Sequence, residues 1–238
     1  MSATTIRQEE VGNVILASLP ADEFEEIARH VEPERLNAGE RLYDPQEAIR
    51  HVHFINSGLL SLISTLEDGT SIEVGGLGRE GMGGLSVLLG SEVTTHTGIV
   101  QAPGYAFRMR TELARDAFQN LPAFQNKMLR YTRMLMSLIA VTVACNTLHT
   151  LEERLARWLL MCRHRVESDE LPLTQEFLSQ MLGVRRSGVT VAVGILERAG
   201  LIRHSRGTIL ITDAEKLNEA SCECIRAMTQ EFDSYVNE

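Results

Sequence analysis

The chain has 238 residues, 44% of them hydrophobic, which is enough for one large domain or two smaller ones with a buried core. Its net charge of −9 argues against a protein that coats nucleic acid over its whole surface. The charge is segregated, however, because 151–211 holds nine basic and seven acidic residues whereas the remainder holds 14 and 25. A basic surface on one part of the chain therefore stays possible.

No run of residues approaches the roughly 18 apolar positions needed to cross a bilayer. The first residues, "MSATTIRQEEVGN", lack the charged-then-apolar order of a signal peptide. The four cysteines are too few and too scattered for a disulfide framework, which fits a reducing compartment; they are Cys145, Cys162, Cys222 and Cys224. We expect a cytoplasmic protein without membrane contact.

The N-terminal third predicts two short helices followed by short strands. The helices are "QEEVGNVILASL" and "ADEFEEIARHV", with Pro20 between them. From about Leu36, the β-rich runs "HVHFI", "LLSLIST", "SIEVGGL" and "TGIVQ" alternate with turn signals at 56–58, 68–69 and 75–84. This spacing predicts an antiparallel sandwich or barrel. For "GREGMGG" (78–84) we favour a turn over a phosphate cradle, since no P-loop helix and lysine follow.

After Pro122 the pattern is helical. Apolar residues between 121 and 149 recur at alternating steps of three and four, which is typical of a coiled-coil seam. A core helix within one chain fits the same spacing, but the other faces are also apolar, so we favour a dimer. The expected interface residues are Met128, Tyr131, Leu135, Leu138, Thr142 and Cys145.

The segment "LTQEFLSQMLGVRRSGVTVAVGILERAGLI" predicts two helices joined by a turn at Gly183. Thr174 is a suitable N-cap for the first helix, and Gly200 ends the second. A basic second helix after a glycine turn indicates a helix-turn-helix. The next residues, "LIRHSRGTILIT", predict two strands around a turn, which would form a wing. An arginine pair on a solvated surface is the alternative, but the ordered set of features favours DNA binding.

In a helix-turn-helix the second helix enters the major groove with its N-terminal end. Arginine fits this position because its planar fork donates two hydrogen bonds to guanine. Residues at the wing and at the first N-cap are placed for phosphates. The expected DNA-binding residues are Arg185, Arg186, Ser187, Thr190, Thr174, Gln175, Arg203, His204 and Arg206.

These features resemble the Crp/Fnr superfamily of bacterial transcription regulators, in which "EERLARWLL" would be the lead helix of the winged domain. The resemblance implies an α+β fold with three parts. They are a cyclic-nucleotide-binding-like antiparallel β-roll (1–120), a dimerisation helix (121–149) and a winged helix-turn-helix with a C-terminal helix (150–238). It also implies a homodimer on a near-palindromic operator in double-stranded DNA, with RNA polymerase as a further partner if the protein is an activator.

Two departures from the family pattern limit what carries over. Cyclic-AMP-responsive members begin the recognition helix with Arg-Glu and carry a second Arg four residues after the Glu. The matching positions here are Arg186, Ser187 and Val191, so only the first is kept and a different operator is expected.

The second departure concerns the nucleotide pocket. Gly84 is retained, but Leu85 stands where the family places a ribose-binding carboxylate, and His96 where it places the phosphate-binding Arg. Ile139 and Ala140 replace the Thr-Ser pair that meets adenine. A buried phosphate without its cation costs several kcal/mol, so cyclic AMP is not expected to bind and no cofactor is expected.

Cys145 and His149 share one helix face at i, i+4, so that two subunits together could offer zinc two thiolates and two imidazoles. We favour a small seam residue and a helix-end histidine, and expect no metal; a metal- or redox-responsive regulator is the alternative. Cys222 and Cys224 fall on a predicted helix, 214–235, where they would point about 200° apart.

The sequence gives less support to two other functions. One is a ligand-binding signalling module whose winged helix contacts protein. The other is an enzyme, for which no nucleophile, base and orienting group occur together and the seven histidines are dispersed. No catalytic residue is expected.

Overall fold

The computed structural model describes residues 6–237. The chain divides into two compact units: residues 6–62 with 76–135, and residues 63–75 with 136–237. The limits expected from the sequence, 120 and 149, lie at the ends of one long helix, whereas the two compact units divide within that helix. Each unit is described by itself.

The N-terminal part is built on an antiparallel sheet preceded by short helical segments. A 3-10 turn (Gln8–Glu10) leads to α1 (Val14–Ala17) and α2 (Ala21–Ala28). The strands are β1 (Val31–Leu36), β2 (Arg41–Tyr43), β3 (His51–Thr65), β4 (Ser71–Leu77), β5 (Met82–Gly83) and β6 (Thr97–Arg110). The sheet order is β1-β6-β3-β4, with β2 on β6 and β5 on β3. This confirms the expected antiparallel N-terminal domain.

Two runs that the sequence predicted as separate strands form a single strand. "HVHFI" and "LLSLIST" form the continuous 15-residue β3, so the turn predicted at 56–58 is wrong. Gly58 adopts a φ of +87°, and a Cβ on it would lie 2.7 Å from the carbonyl oxygen of Ala102. The glycine therefore allows a local irregularity inside a strand, where β6 approaches closely. The predicted Asp68–Gly69 turn is confirmed, with the Leu66 amide donating to Thr70 over 2.8 Å.

Asn13 holds the entry to this unit together. Its side chain is fully buried. Nδ2 donates to the carbonyl oxygens of Ile55 (2.7 Å) and Gly81 (2.9 Å), while Oδ1 accepts the amide of Leu16 (3.2 Å) and so caps α1. One amide group thus joins α1, β3 and the turn before β5.

The glycine-rich segment 78–84 serves close packing. A Cβ on Gly81 would lie 2.5 Å from the Tyr131 hydroxyl, which donates to the carbonyl oxygen of Met82 over 3.1 Å. A Cβ on Gly83 would lie 2.8 Å from Leu60. The glycines are therefore explained by close packing in a turn and a short strand. A turn is the interpretation that the sequence favoured over a phosphate cradle.

Two helices follow the sheet, α3 (Thr111–Asn120) and α4 (Pro122–Leu148). The Glu23 carboxylate accepts the amides of Ala123 (2.9 Å) and Phe124 (2.8 Å), so an acidic side chain caps the positive end of α4. By length and composition alone, α4 is apolar enough to cross a membrane, contrary to the expectation that no segment qualifies. Helices packed in the core of soluble proteins meet the same criterion.

The C-terminal part consists of helices around a small sheet. Its elements are α5 (Leu151–Val166), β7 (Glu170–Leu171), α6 (Gln175–Leu182), α7 (Arg186–Arg198), β8 (Ile202–Ser205), β9 (Thr208–Ile211), α8 (Ala214–Glu219) and α9 (Cys224–Asn237). The sheet order is β7-β9-β8. The lead helix, the helix-turn-helix and the two-stranded wing are confirmed.

The single helix predicted over 214–235 is wrong, because the chain breaks between α8 and α9. The Ser221 hydroxyl donates to the carbonyl oxygen of Asn218 (2.7 Å), a local bond of the kind that competes with helix propagation. The break also lets Cys222 and Cys224 both be buried, at 3% and 7% exposure. On a continuous helix they would point in nearly opposite directions.

We predict that Asn13→Ala lowers the free energy of unfolding by about 2–3 kcal/mol, because it leaves buried carbonyl groups without their donor. Urea denaturation followed by circular dichroism measures this. Asn37→Ala is the control, since Asn37 is exposed and its side chain donates to Glu40, three residues away. We expect the control to change the free energy of unfolding by less than about 0.5 kcal/mol. An equally small change in Asn13→Ala would show that Asn13 does not hold these segments together.

Candidate functional site

The turn between α6 and α7 is fixed by its own backbone chemistry. Thr174 caps α6, its hydroxyl oxygen accepting the Phe177 amide at 3.1 Å. Gly183 ends α6 with a φ of +64°, a conformation that favours glycine. Arg185 then takes an extended conformation as the N-cap of α7, which begins at Arg186. The predicted order of cap, helix, glycine turn and second helix is therefore present.

One face of α7 is buried, and this determines which residues lie outside. The buried side chains are Val189, Ala192, Val193 and Leu196. Gly188 also faces inward, because a Cβ on it would lie 3.3 Å from the Leu151 side chain of α5. This glycine therefore allows α7 to pack closely on α5.

Seven of the nine residues expected to bind DNA are exposed: Arg185, Arg186, Ser187, Thr190, Thr174, Arg203 and Arg206. Gln175 and His204 are half-buried. All nine belong to the same compact unit. The exposed polar end of α7 and the exposed end of the wing thus lie on one folded unit.

Contacts between α6 and α7 orient the recognition surface. The Thr190 hydroxyl donates to the Gln175 side-chain oxygen at 3.0 Å, so these two residues form a pair. Arg186 Nη1 lies 4.0 Å from the Glu176 carboxylate. The sequence alone does not indicate this pairing, since it depends on the distance between the two helices. In the free protein, Glu176 gives Arg186 an acidic neighbour.

The wing is a tight hairpin. Ser205 pairs with Thr208, and the turn between them places Arg206 at a φ of +40° and Gly207 at +83°. Positive φ values at both central residues are typical of a two-residue hairpin turn. The Glu197 carboxylate accepts the His204 amide at 3.0 Å, which ties the wing to the end of α7.

The residues expected at a dimer interface are mostly covered within the chain. Met128, Tyr131, Leu135, Leu138 and Cys145 are buried, and Thr142 is half-buried. A side chain that is buried within its own chain offers little surface to a partner, and the interface expected at these six positions stays a prediction. A different row of α4 is exposed, namely Leu129, Met136 and Val143, each more than half exposed. The sequence did not separate the two rows, since α4 is apolar on several faces.

The segment that matches a nucleotide pocket lacks fixed charge at the expected positions. Gly84 has a φ of +86° and begins a 3-10 turn, Leu85–Val87, so an aliphatic side chain follows it. His96 is half-buried, and one ring nitrogen lies 2.9 Å from the Thr94 hydroxyl. Burial holds the pKa of His96 below its ordinary value, so that the ring is neutral at neutral pH. It does not replace the positive charge of an arginine.

Four metal-binding side chains meet in the C-terminal unit. Cys145 in the last turn of α4 and His149 just after that helix lie beside Cys222, just before α9, and Cys224, its first residue. All four ligand atoms are within 4.8 Å of one another. The possibility considered from the sequence, in which two subunits each supply Cys145 and His149, is not required for a four-ligand cluster, because these four side chains meet within one subunit. Two of the sulfurs, Cys145 Sγ and Cys222 Sγ, are 3.4 Å apart.

The protonation of this cluster is uneven. Burial raises the pKa of the Cys145 thiol, but the Arg157 charge and hydrogen bonds from Cys222, His149 and Arg157 outweigh it, so the pKa lies below its ordinary value. Burial raises the pKa of Cys222 to about 12 and that of Cys224 above its usual range. A hydrogen bond to Cys145 raises the pKa of His149. Cys145 is therefore the most acidic of the three thiols.

Comparison with known proteins identifies both parts of the chain. Residues 33–121 match the model of the cyclic nucleotide-binding domain, and residues 153–220 match the Crp-like helix-turn-helix domain. Among curated proteins, none matches this sequence at a significant level.

Solved structures share the fold at low identity. FixK2 from Bradyrhizobium japonicum has a TM-score of 0.69 at 15% identity, covering 81% of this chain and 98% of that one. A putative transcriptional regulator of the Crp/Fnr family from Eubacterium rectale has a TM-score of 0.67 at 20% identity, covering 87% and 96%. The c-di-GMP-responsive regulator CLP from Xanthomonas campestris has a TM-score of 0.65 at 16% identity, covering 81% and 99%.

The two domain matches occur in the order in which the fold places a β-sheet domain, a long helix and a winged helix-turn-helix. The chain therefore belongs to the Crp/Fnr family of transcription regulators.

Proposed function

We propose that this regulator binds double-stranded DNA sequence-specifically as a cytoplasmic homodimer, with α7 of each subunit in the major groove. The observation that carries the proposal is the exposed, basic N-terminal end of α7, with Arg185 and Arg186, on a chain whose net charge is −9. A two-fold dimer then requires a near-palindromic operator with half-sites about 34 Å apart, one helical turn of DNA.

The exposed residues divide into those that contact bases and those that contact phosphates. Arg186 donates to a guanine, and Arg185 and Ser187 extend that contact to neighbouring bases or phosphates. Val191 is 58% exposed one turn after Ser187, where an apolar side chain suits the methyl group of thymine. Thr174, Arg203 and Arg206 contact phosphates, which position the domain without reading sequence.

We predict that Arg186→Ala lowers affinity for the selected operator by about 10- to 100-fold, because one bidentate base contact is lost. The operator is first selected from random DNA with the unaltered protein, and fluorescence anisotropy at fixed salt then gives the affinities. Arg50→Ala is the matched control, since it removes the same charge from an exposed residue of the N-terminal unit. Equal affinities for the two variants would remove Arg186 from the interface.

The salt dependence of the same titration tests the alternative in which the winged helix contacts protein. DNA binding through phosphates weakens steeply as salt rises, with a slope that counts the phosphates neutralised. Loss of Arg203 or Arg206 should reduce that slope by about one each. A flat salt dependence would contradict DNA binding and favour the signalling module.

We infer that the dimer forms through the exposed row of α4. Leu129, Met136 and Val143 recur at intervals of seven, the spacing of one position of a heptad, and each is more than half exposed. An apolar row of this kind on a soluble regulator is stabilised when a second copy covers it. RNA polymerase is a further partner if the protein acts as an activator.

We predict that the double variant Met136→Lys, Val143→Lys is monomeric at micromolar concentration and loses most operator affinity. Two charges on each subunit would be brought together in an apolar seam, which is strongly unfavourable. Analytical ultracentrifugation measures the mass. Leu89→Lys is the control, because Leu89 is similarly exposed but lies outside α4. A double variant that stays dimeric would place the interface elsewhere.

The nucleotide-binding domain is proposed to respond to an effector other than cyclic AMP. Leu85 supplies no carboxylate for the ribose, and the neutral His96 supplies no charge for the phosphate.

We predict that 1 mM cyclic AMP shifts the thermal midpoint by less than about 1 °C and leaves operator affinity unchanged, because a ligand that does not bind the native state does not stabilise it. Differential scanning fluorimetry measures the shift, with AMP as the matched nucleotide. A midpoint raised by several degrees with cyclic AMP alone would overturn this assignment.

A further inference from the structure

The cluster of Cys145, His149, Cys222 and Cys224, here called the Cys3His cluster, has no task in DNA binding as proposed above. Its residues come from two ends of the C-terminal unit, the last turns of α4 and the junction before α9. We propose that the Cys3His cluster binds one zinc ion within a single subunit.

The distances fit a tetrahedral site. With Zn–S bonds of about 2.3 Å and a Zn–N bond of about 2.0 Å, tetrahedral angles place two sulfurs about 3.8 Å apart and a sulfur and nitrogen about 3.5 Å apart. Cys145 Sγ and Cys222 Sγ are 3.4 Å apart, and Cys224 Sγ lies 3.7 Å from His149 Nδ1. All four ligand atoms lie within 4.8 Å of one another, so shifts of about one ångström or less bring them to tetrahedral distances. The two sulfurs are too far apart for a disulfide bond, and neither Cys145 nor Cys222 is in one.

The histidine is oriented as metal-binding histidines are. His149 Nδ1 faces Cys224, while Nε2 lies 3.1 Å from the carboxylate of Glu223. A metal-bound imidazole commonly donates its second N–H to a carboxylate, which fixes the ring and makes the ligating nitrogen more basic. Glu223 stands between the two cysteines of the Cys-Glu-Cys sequence, so the same short segment supplies two ligands and their supporting acid.

A buried cation gives the second independent argument. Arg157 is only 5% exposed, and the hydrogen bonds described for its side chain go to sulfur, to Cys145 Sγ at 3.1 Å and Met228 Sδ at 3.3 Å. A buried guanidinium is costly unless an anion lies beside it. Three thiolates and a neutral imidazole around a divalent zinc ion carry one net negative charge, which Arg157 balances.

The ligand set points to a structural rather than a catalytic ion. Four protein ligands close the tetrahedron and leave no position for water or substrate. The ion would fasten the end of α4, just before α5, to the start of α9. It also accounts for the break after α8, because only a non-helical approach brings Cys222 and Cys224 to the same point.

The test uses the full chain purified without added chelator. Native mass spectrometry and elemental analysis should find one zinc ion per subunit. Replacement by Co²⁺ should give the intense visible bands of a tetrahedral ion and a near-ultraviolet thiolate-to-metal band. Cys222→Ser with Cys224→Ser should lose both signals. Cys162→Ser should keep them, because Cys162 is a buried cysteine outside the cluster.

Stability gives a readout that does not depend on variant folding. Removing the metal from the unaltered protein with a chelator should lower the thermal midpoint by more than about 5 °C, and stoichiometric zinc should restore it. His149→Ala, which keeps all three thiols, should weaken zinc binding by at least about 10-fold in a competition titration with a chromogenic chelator.

Three results would overturn the proposal. One is a protein with less than half an equivalent of zinc that also gains none on titration. Another is a cobalt spectrum without a thiolate band. The third is a subunit mass that is two hydrogens lighter, with Cys145 and Cys222 joined in a disulfide. None of these results depends on operator binding, so failure here is distinguishable from failure of the proposed DNA interface.

Discussion

The burial of one side of α7 is the constraint on which the proposed DNA surface depends. Val189, Ala192, Val193 and Leu196 leave water only if α7 lies against its neighbouring helices. Once that side is covered, Arg186 and Val191 lie on the opposite side of the helix and face solvent. The Gly183 turn and the Gly188 contact with Leu151 allow this close approach. Recognition chemistry in this protein is thus positioned by apolar packing on the opposite face.

Positive charge is used differently inside and outside the C-terminal unit. Arg185, Arg186, Arg203 and Arg206 are exposed, as the proposed contacts with DNA require. Arg157 is buried and donates to sulfur. A neighbouring cysteine in the thiolate form would supply the anion that a buried guanidinium needs. The basic residues that make 151–211 positive therefore serve two functions, and their number alone overstates the surface that is available to DNA.

Local sequence signals predicted most of the elements because they depend on neighbouring residues. The Thr174 cap, the Gly183 turn and the wing hairpin were all foreseen, since each needs only a few adjacent side chains and backbone torsions. The failures arose where distant packing overrode a local signal. Gly58 was taken for a turn but lies within β3, because β6 approaches it closely. The helix predicted over 214–235 breaks where Cys222 and Cys224 are buried together.

The sequence by itself determined the order of the domains and the basic start of α7, because these follow from periodicity, caps and charge along the chain. Only the tertiary structure decided which row of α4 is free. The helix is apolar around much of its surface, so spacing did not distinguish the buried Met128 and Tyr131 from the exposed Met136 and Val143. Tertiary structure also brought Cys145 beside Cys222, 77 residues away. Such a contact depends on how helices pack, which no local pattern encodes.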